Sequence, residues 1–173
     1  VTKFIYRIKK EFTSGKQLTE LDAADILLKC RMEQDGFIEP SFETIAAYGS
    51  NAAYVHYSAK EDDQATLKPE GLLLVDSGGH YTDGTTDVTR TIALGDITDE
   101  QKKTFTAVLK GMIRLSMARF PEGVRGYNLD TICRGPLWDM GLDYRHGTGH
   151  GVGHIGAVHE GPNAFRWRRS GQQ

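Results

Sequence analysis

Long apolar runs are missing from this chain, as are a cysteine framework and any large surplus of one charge. No stretch approaches the roughly 20 consecutive apolar residues that a bilayer helix needs, and no signal-peptide pattern opens the sequence. No membrane partner is therefore expected. The two cysteines, Cys30 and Cys133, are too few for disulfide scaffolding. Each falls within a helix-like pattern, which predicts reduced, buried thiols and a cytoplasmic location. A net charge of −2 and a pI near 6.3 supply no electrostatic pull towards nucleic acid. Hydrophobic and charged contents of 39% and 25% are globular values and exclude disorder. At 173 residues the chain fits one domain, large enough to bury most of its apolar surface. It opens on Val1 and closes on a polar "RWRRSGQQ", so both ends read as cut rather than finished.

The periodicity is mixed. Residues 2–12 place Phe4, Ile5, Ile8 and Phe12 at helical spacing, with Gly15 as the stop. A second helix is predicted from the cap Thr19, with Asp22 three residues on, through Leu21, Ala24, Leu28 and Met32 to Gly36. "FETIAAYG" and "AAYVHY", around 42–57, read as short strands broken by "GSN". "GLLLVDSGGHYTDGTTDVTRTIAL" reads as a hairpin with a buried first arm. "TDEQ" at 98–101 is a capping box for a helix carrying Phe105, Val108, Leu109, Met112, Ile113 and Phe120 on one face, ending before "PEG". A last helix, about 128–140, contains Gly135-Pro136 and should kink or be short. A glycine-rich stretch with four of the six histidines follows. The fold class is α+β.

"DSGGHYTDGTTDVTRT", residues 76–91, asks why one segment holds three carboxylates and so little that packs. A phosphate loop is poorly supported, since G-x-x-x-x-G-K-[ST] is absent. Asp83-Gly84 is a strong hairpin signal, which gives Asp83 a plain turn role. Asp76 is different: it ends the apolar run "LLLV", where a charge is costly unless something pairs with it. Asp87 lies on the return arm, so folding near Asp83-Gly84 brings the two carboxylates together. Their repulsion must be offset by a shared proton or a cation. Carboxylates favour manganese or magnesium, with zinc or cobalt as alternatives when imidazole joins. On spacing alone, a metal pair and a solvated turn both remain open.

The histidines bear on that choice. His146 and His150 lie four apart in "HGTGHGVG", but the glycines between them argue against a metal-binding helix. His159 follows in "VHEGP". Three imidazoles within fourteen residues of small-sided loop point to function. His80 reads as an ordinary loop-tip residue and His154 as an incidental one. His56, in "VHY", borders a predicted strand and is ambiguous alone.

"VDSGGHYTDGTTDVTRT", "GLDYRHGTGHGVG" and "VHEGP" together resemble the catalytic domain of the Xaa-Pro aminopeptidases (aminopeptidase P). These are a branch of the metallopeptidase family that includes creatinase, prolidase and methionine aminopeptidase, and the resemblance spans about residues 1–165. It implies the α+β "pita-bread" fold. The implied activity is metal-dependent release of the N-terminal residue from peptides with proline second. By resemblance Asp76 chelates one metal, Asp87 bridges two, and His150 binds the other. His56, His146 and His159 match substrate-contacting histidines, with His56 and His159 in catalytic positions. His159 would lie near the scissile carbonyl, where a donor stabilises an oxyanion. His56 and His146 would shape the proline side. Two manganese ions are the implied cofactor, with zinc or cobalt as alternatives, and the implied partners are peptides with an Xaa-Pro N-terminus.

The sequence departs from that pattern in one respect that matters. The family's two glutamate ligands, in "DEPG"-like and "IRIEN"-like motifs, do not appear, and Glu160 belongs to the "HEGP" loop instead. Residues 1–173 therefore read as a partial catalytic domain, its first half complete and its second half truncated at the C-terminal side. Three donors alone are expected to hold no ion or one weakly, with little turnover, because the general acid/base is absent. Gly156-Ala157 is a minor departure that alters pocket shape. Unpaired sheet edges would favour a homo-oligomer. The alternatives are a non-catalytic pita-bread module that binds protein partners, and a prolidase restricted to dipeptides.

Overall fold

The computed structural model describes residues 1–167, so the polar tail from 168 onward lies outside the described residues. The chain forms two compact units. One comprises residues 1–97 with Val152–Val158, and the other Thr98–Gly151 with the segment from His159.

In the first unit the predicted helices form as α1 (Thr2–Thr13) and α2 (Glu20–Met32). The capping box at α2 is complete. Thr19 Oγ1 accepts the Asp22 N–H at 3.2 Å, and Asp22 Oδ2 accepts the Thr19 N–H at 2.8 Å. Around the helices run β1 (Leu18–Thr19), β2 (Phe37–Glu39), β3 (Ile45–Tyr48), β4 (Thr66–Leu67), β5 (Leu72–Tyr81) and β6 (Gly84–Ala93). β5 is the central strand: β6 pairs along one edge, while β3 and β2 share the other. All these pairings are antiparallel. β5 and β6 join through the two residues Thr82 and Asp83, with Tyr81 opposite Gly84, so Asp83 has the turn role expected of it.

The period-2 pattern of β5 sets the core. Leu73 and Val75 are buried with Phe4, Ile8, Leu18, Leu27, Cys30 and Ile92, while the alternate face carries Leu72, Leu74 and Asp76. Full burial of each large apolar side chain contributes about 1.5–3 kcal/mol. Residues 52–57 are not a strand. A 3-10 helix, Gly49–Ala53, follows β3 and runs into a turn that holds His56.

In the second unit α3 (Asp99–Ser116) starts at the Thr98 capping box, with Gln101 N–H donating to Thr98 Oγ1 at 3.1 Å. It stops at Ser116, short of Phe120. The face that packs is not the large apolar one. Ala107 and Gly111 are buried, and a Cβ on Gly111 would lie 2.0 Å from the Cys133 carbonyl oxygen of α4 (Gly126–Trp138). A close helix crossing excludes bulk, which is why small residues face α4. Phe105, Val108, Leu109, Met112, Ile113 and Phe120 are left 40–54% exposed. Pro136 falls in the last turn of α4, close to the helix end. β7 (Gly149–Gly151) and β8 (Glu160–Phe165) form an antiparallel pair that was not expected. Cys30 and Cys133 are both buried and free, as predicted.

Candidate metal centre

The β5–β6 ladder decides where the two aspartates go. Asp76 faces Thr89 and Gly78 faces Asp87. Directly opposed residues share a face, so Asp76 and Asp87 lie on the same face as diagonal neighbours, within reach of a common ligand. Both are half-buried. Two carboxylates so placed repel, and a hard divalent cation would offset that repulsion with the oxygen donors it prefers.

An arginine the sequence reading passed over anchors the hairpin. Arg31, buried at the end of α2, donates through Nη2 to Ser77 O at 2.7 Å and Ser77 Oγ at 2.8 Å. Its Nη1 donates to Thr86 Oγ1 at 3.3 Å. Ser77 follows Asp76 and Thr86 precedes Asp87, so one guanidinium grips the residue beside each aspartate. No sequence signal marks Arg31, because its partners lie 46 and 55 residues away.

His80 is not at a loop tip. It is buried on β5, with Nδ1 2.8 Å from Thr85 Oγ1. That hydroxyl also accepts the Ile155 N–H at 2.8 Å, which ties the 152–158 segment to the hairpin. His154 is exposed in that segment.

His56 is exposed, and a buried carboxylate organises its surroundings. Glu20 Oε1 accepts the Tyr48 N–H at 2.6 Å, and Oε2 accepts the Tyr57 hydroxyl at 2.7 Å and the Ala65 N–H at 2.8 Å. Asn51 Nδ2 donates to both oxygens at 3.1 Å. Burial, and then the Glu20 carboxylate, push the Tyr57 hydroxyl up to about 12.

In the second unit His150 is half-buried on β7, opposite Ala164 of β8. Its Nδ1 lies 2.8 Å from the Gly151 carbonyl. A carbonyl can only accept, so Nδ1 carries the hydrogen, and in the neutral ring the lone pair is then on Nε2, the form a metal takes up. His159 meets His150 edge-on, ring centroids 4.1 Å apart. His146 is exposed, and its Nδ1 donates to the Gly147 carbonyl at 2.7 Å. The structure thus joins Asp76 with Asp87 in one unit and His150 with His159 in the other. Carboxylate and imidazole are both donor types that divalent transition ions accept.

Comparison with known proteins places the chain in a family. Residues 1–172 match the sequence profile of metallopeptidase family M24. Aminopeptidase P1 and aminopeptidase P2 of Arabidopsis thaliana are 48% and 47% identical over 162 and 161 residues, covering 94% and 93% of this chain. The chain spans only 25% and 23% of their length. Among solved structures, X-prolyl aminopeptidase from Caenorhabditis elegans, described as a cytosolic enzyme with a di-nuclear active site, superposes with a TM-score of 0.89 at 46% identity. That match covers 94% of this chain and 27% of the other. X-Pro aminopeptidase from Thermotoga maritima superposes with a TM-score of 0.74 at 30% identity, covering 96% and 46%. The α+β architecture is accordingly that of the pita-bread fold. With both units matched, and every aspartate and histidine above inside the matched span, the chain belongs to metallopeptidase family M24.

Proposed function

We propose that this chain is part of the catalytic domain of a metal-dependent aminopeptidase that releases the N-terminal residue from peptides with proline second. The observation that carries the reading is the half-buried pair Asp76 and Asp87 on one face of the β5–β6 hairpin. Asp76, Asp87 and His150 are the proposed metal ligands, and manganese the proposed ion, two per complete centre. A bound divalent ion supplies Lewis acidity and makes hydroxide available near neutral pH. The remaining work falls to side chains. His159 is the proposed donor to the scissile carbonyl oxygen, where charge develops. His56 and His146 are proposed to contact substrate on the proline side. An Xaa-Pro amide has no N–H, so such a site recognises ring shape rather than a backbone donor.

Three ligands fall short of the five that the family pattern implies. Residues 1–173 are proposed to be a partial catalytic domain that holds no ion or one weakly and turns over little substrate alone. A cytoplasmic location and self-association through sheet edges complete the proposal. Among the described residues no helix is long and apolar enough to cross a membrane.

The test is manganese-dependent release of the first residue from an Xaa-Pro-Xaa tripeptide. It compares this chain with one extended to carry two further glutamate ligands. Activity confined to the extended chain is the expected result. Activity in neither points to a protein-binding module, and activity in the short chain overturns the five-ligand requirement.

A further inference from the structure

His146 sits in a stretch, 143–148, that has no strand or helix to aim its side chain. Buried charge holds this stretch instead. Arg134 of α4 is fully buried, and its Nε donates to Asp130 Oδ2, one turn back, at 2.7 Å. Nη1 donates to Asp143 Oδ1 at 2.8 Å and to the Tyr144 carbonyl, and Nη2 donates to the His146 carbonyl at 2.7 Å. The guanidinium carbon also lies 3.9 Å from the centroid of the Tyr144 ring. Tyr144 in turn stacks on the His146 imidazole, centroids 4.9 Å apart and planes 29° from parallel. The second Asp130 oxygen accepts the Thr148 hydroxyl, which is also bonded to the Tyr144 hydroxyl.

A bolt for stability alone has no need of this arrangement. Well-packed apolar residues often replace buried ion pairs at little or no loss of stability. What they cannot do is grip acceptors on residues 143, 144 and 146 at once, which takes the fixed fork of a guanidinium. Burial alone would pull the Arg134 guanidinium down, yet the Asp130 and Asp143 carboxylates hold it above its ordinary value. The cation is therefore permanent.

We propose that Arg134, itself fixed by Asp130, is the positioning residue for His146. It sets the backbone at residue 146 and presses the Tyr144 ring against the imidazole, giving that side chain one orientation. The inference rests on the reading of His146 as a substrate contact, and its test separates the two.

In this chain the His146 ring protons should be displaced upfield in the NMR spectrum by the stacked Tyr144 ring. Arg134→Met should abolish that displacement while α-helical circular dichroism is kept, and Arg134→Lys, lacking the fork, should not restore it. Tyr144→Phe keeps the ring and should retain most of it. A folded Arg134→Met protein with the His146 resonances unmoved overturns the proposal. Should Arg134→Met fail to fold, Asp130→Asn carries the same test through the guanidinium's anchor. In the extended, active chain, Arg134→Met and His146→Ala should each lower kcat/KM by about tenfold to a hundredfold, mainly through KM. If the resonances move but His146→Ala leaves KM unchanged, positioning stands and the substrate role of His146 falls.

Discussion

Asp76 and Asp87 ride on a ten-residue antiparallel ladder, whereas His56 and His146 ride on turns and coil. In the ladder, backbone pairing aims the carboxylates, and the core under Leu73 and Val75 holds the register. A one-residue slip would turn both aspartates to the wrong face and expose the core. The loops have no such device. Each leans on one buried charge: Glu20 gathers donors from residues 48, 51, 57 and 65, and Arg134 donates to acceptors on 143, 144 and 146. The hubs are opposite in sign and alike in use. Without strand hydrogen bonds, a single multi-dentate group is an economical way to hold several backbone points at once.

That contrast can be broken experimentally, and the largest effect is expected at the hubs. Glu20→Ala strands four buried or half-buried donors, each costing about 1–3 kcal/mol. A loss of at least about 3 kcal/mol in urea unfolding is expected, with early proteolytic cutting between residues 49 and 65. Equal cutting in parent and variant would show that the loop is held by something else. Gly78→Ala probes the ladder instead, because its Cβ would lie 2.0 Å from Thr86 O and 2.1 Å from Ser41 Oγ. A loss of about 1–3 kcal/mol is expected. Manganese binding by calorimetry in the extended chain should weaken with it, and an unchanged affinity would mean that hairpin register does not set the ligand pair.

Alkaline pH reaches both hubs. Burial pushes the Tyr144 hydroxyl up to about 12, against the Thr148 hydroxyl that pulls it down, and Tyr57 stands at about 12 beside Glu20. A folded value above the unfolded one, near 10, means the stabilisation is complete below pH 10. It is lost as pH rises through about 12. Melting temperature should fall across that window. The slope should ease in Tyr57→Phe and in Tyr144→Phe, and a slope unaltered by either would remove the tyrosines from the account. Smallest of all, Thr98→Ala removes the cap of α3 and should cost about 1 kcal/mol in unfolding, with both loops untouched.

The legible parts of this protein share a physical property: their cause is local. Thr19 with Asp22 and Thr98 with Gln101 are capping boxes closed over three residues, and both helices begin where those pairs stand. The Asp83-Gly84 turn signal and the apolar run from Leu72 to Val75 foretold the hairpin and the closeness of its aspartates. Errors arose where distant packing overrode local pattern. "AAYVHY" has strand composition, yet the Glu20 carboxylate, 28 to 45 residues away, draws residues 48–65 into a 3-10 turn and loop. The sequence groups large apolar residues on one face of α3, but contact with α4 goes to the side where Gly111 admits the Cys133 carbonyl.

The motifs thus pointed to the family by resemblance, since the order and type of their aspartates and histidines are legible in the sequence. Which nitrogen of His150 bonds the Gly151 carbonyl, and which buried groups hold the chain beside His56 and at the His146 carbonyl, came from the folded chain. A tautomer is chosen by the carbonyl beside it, and a hub exists only once residues far apart in sequence converge on one charge.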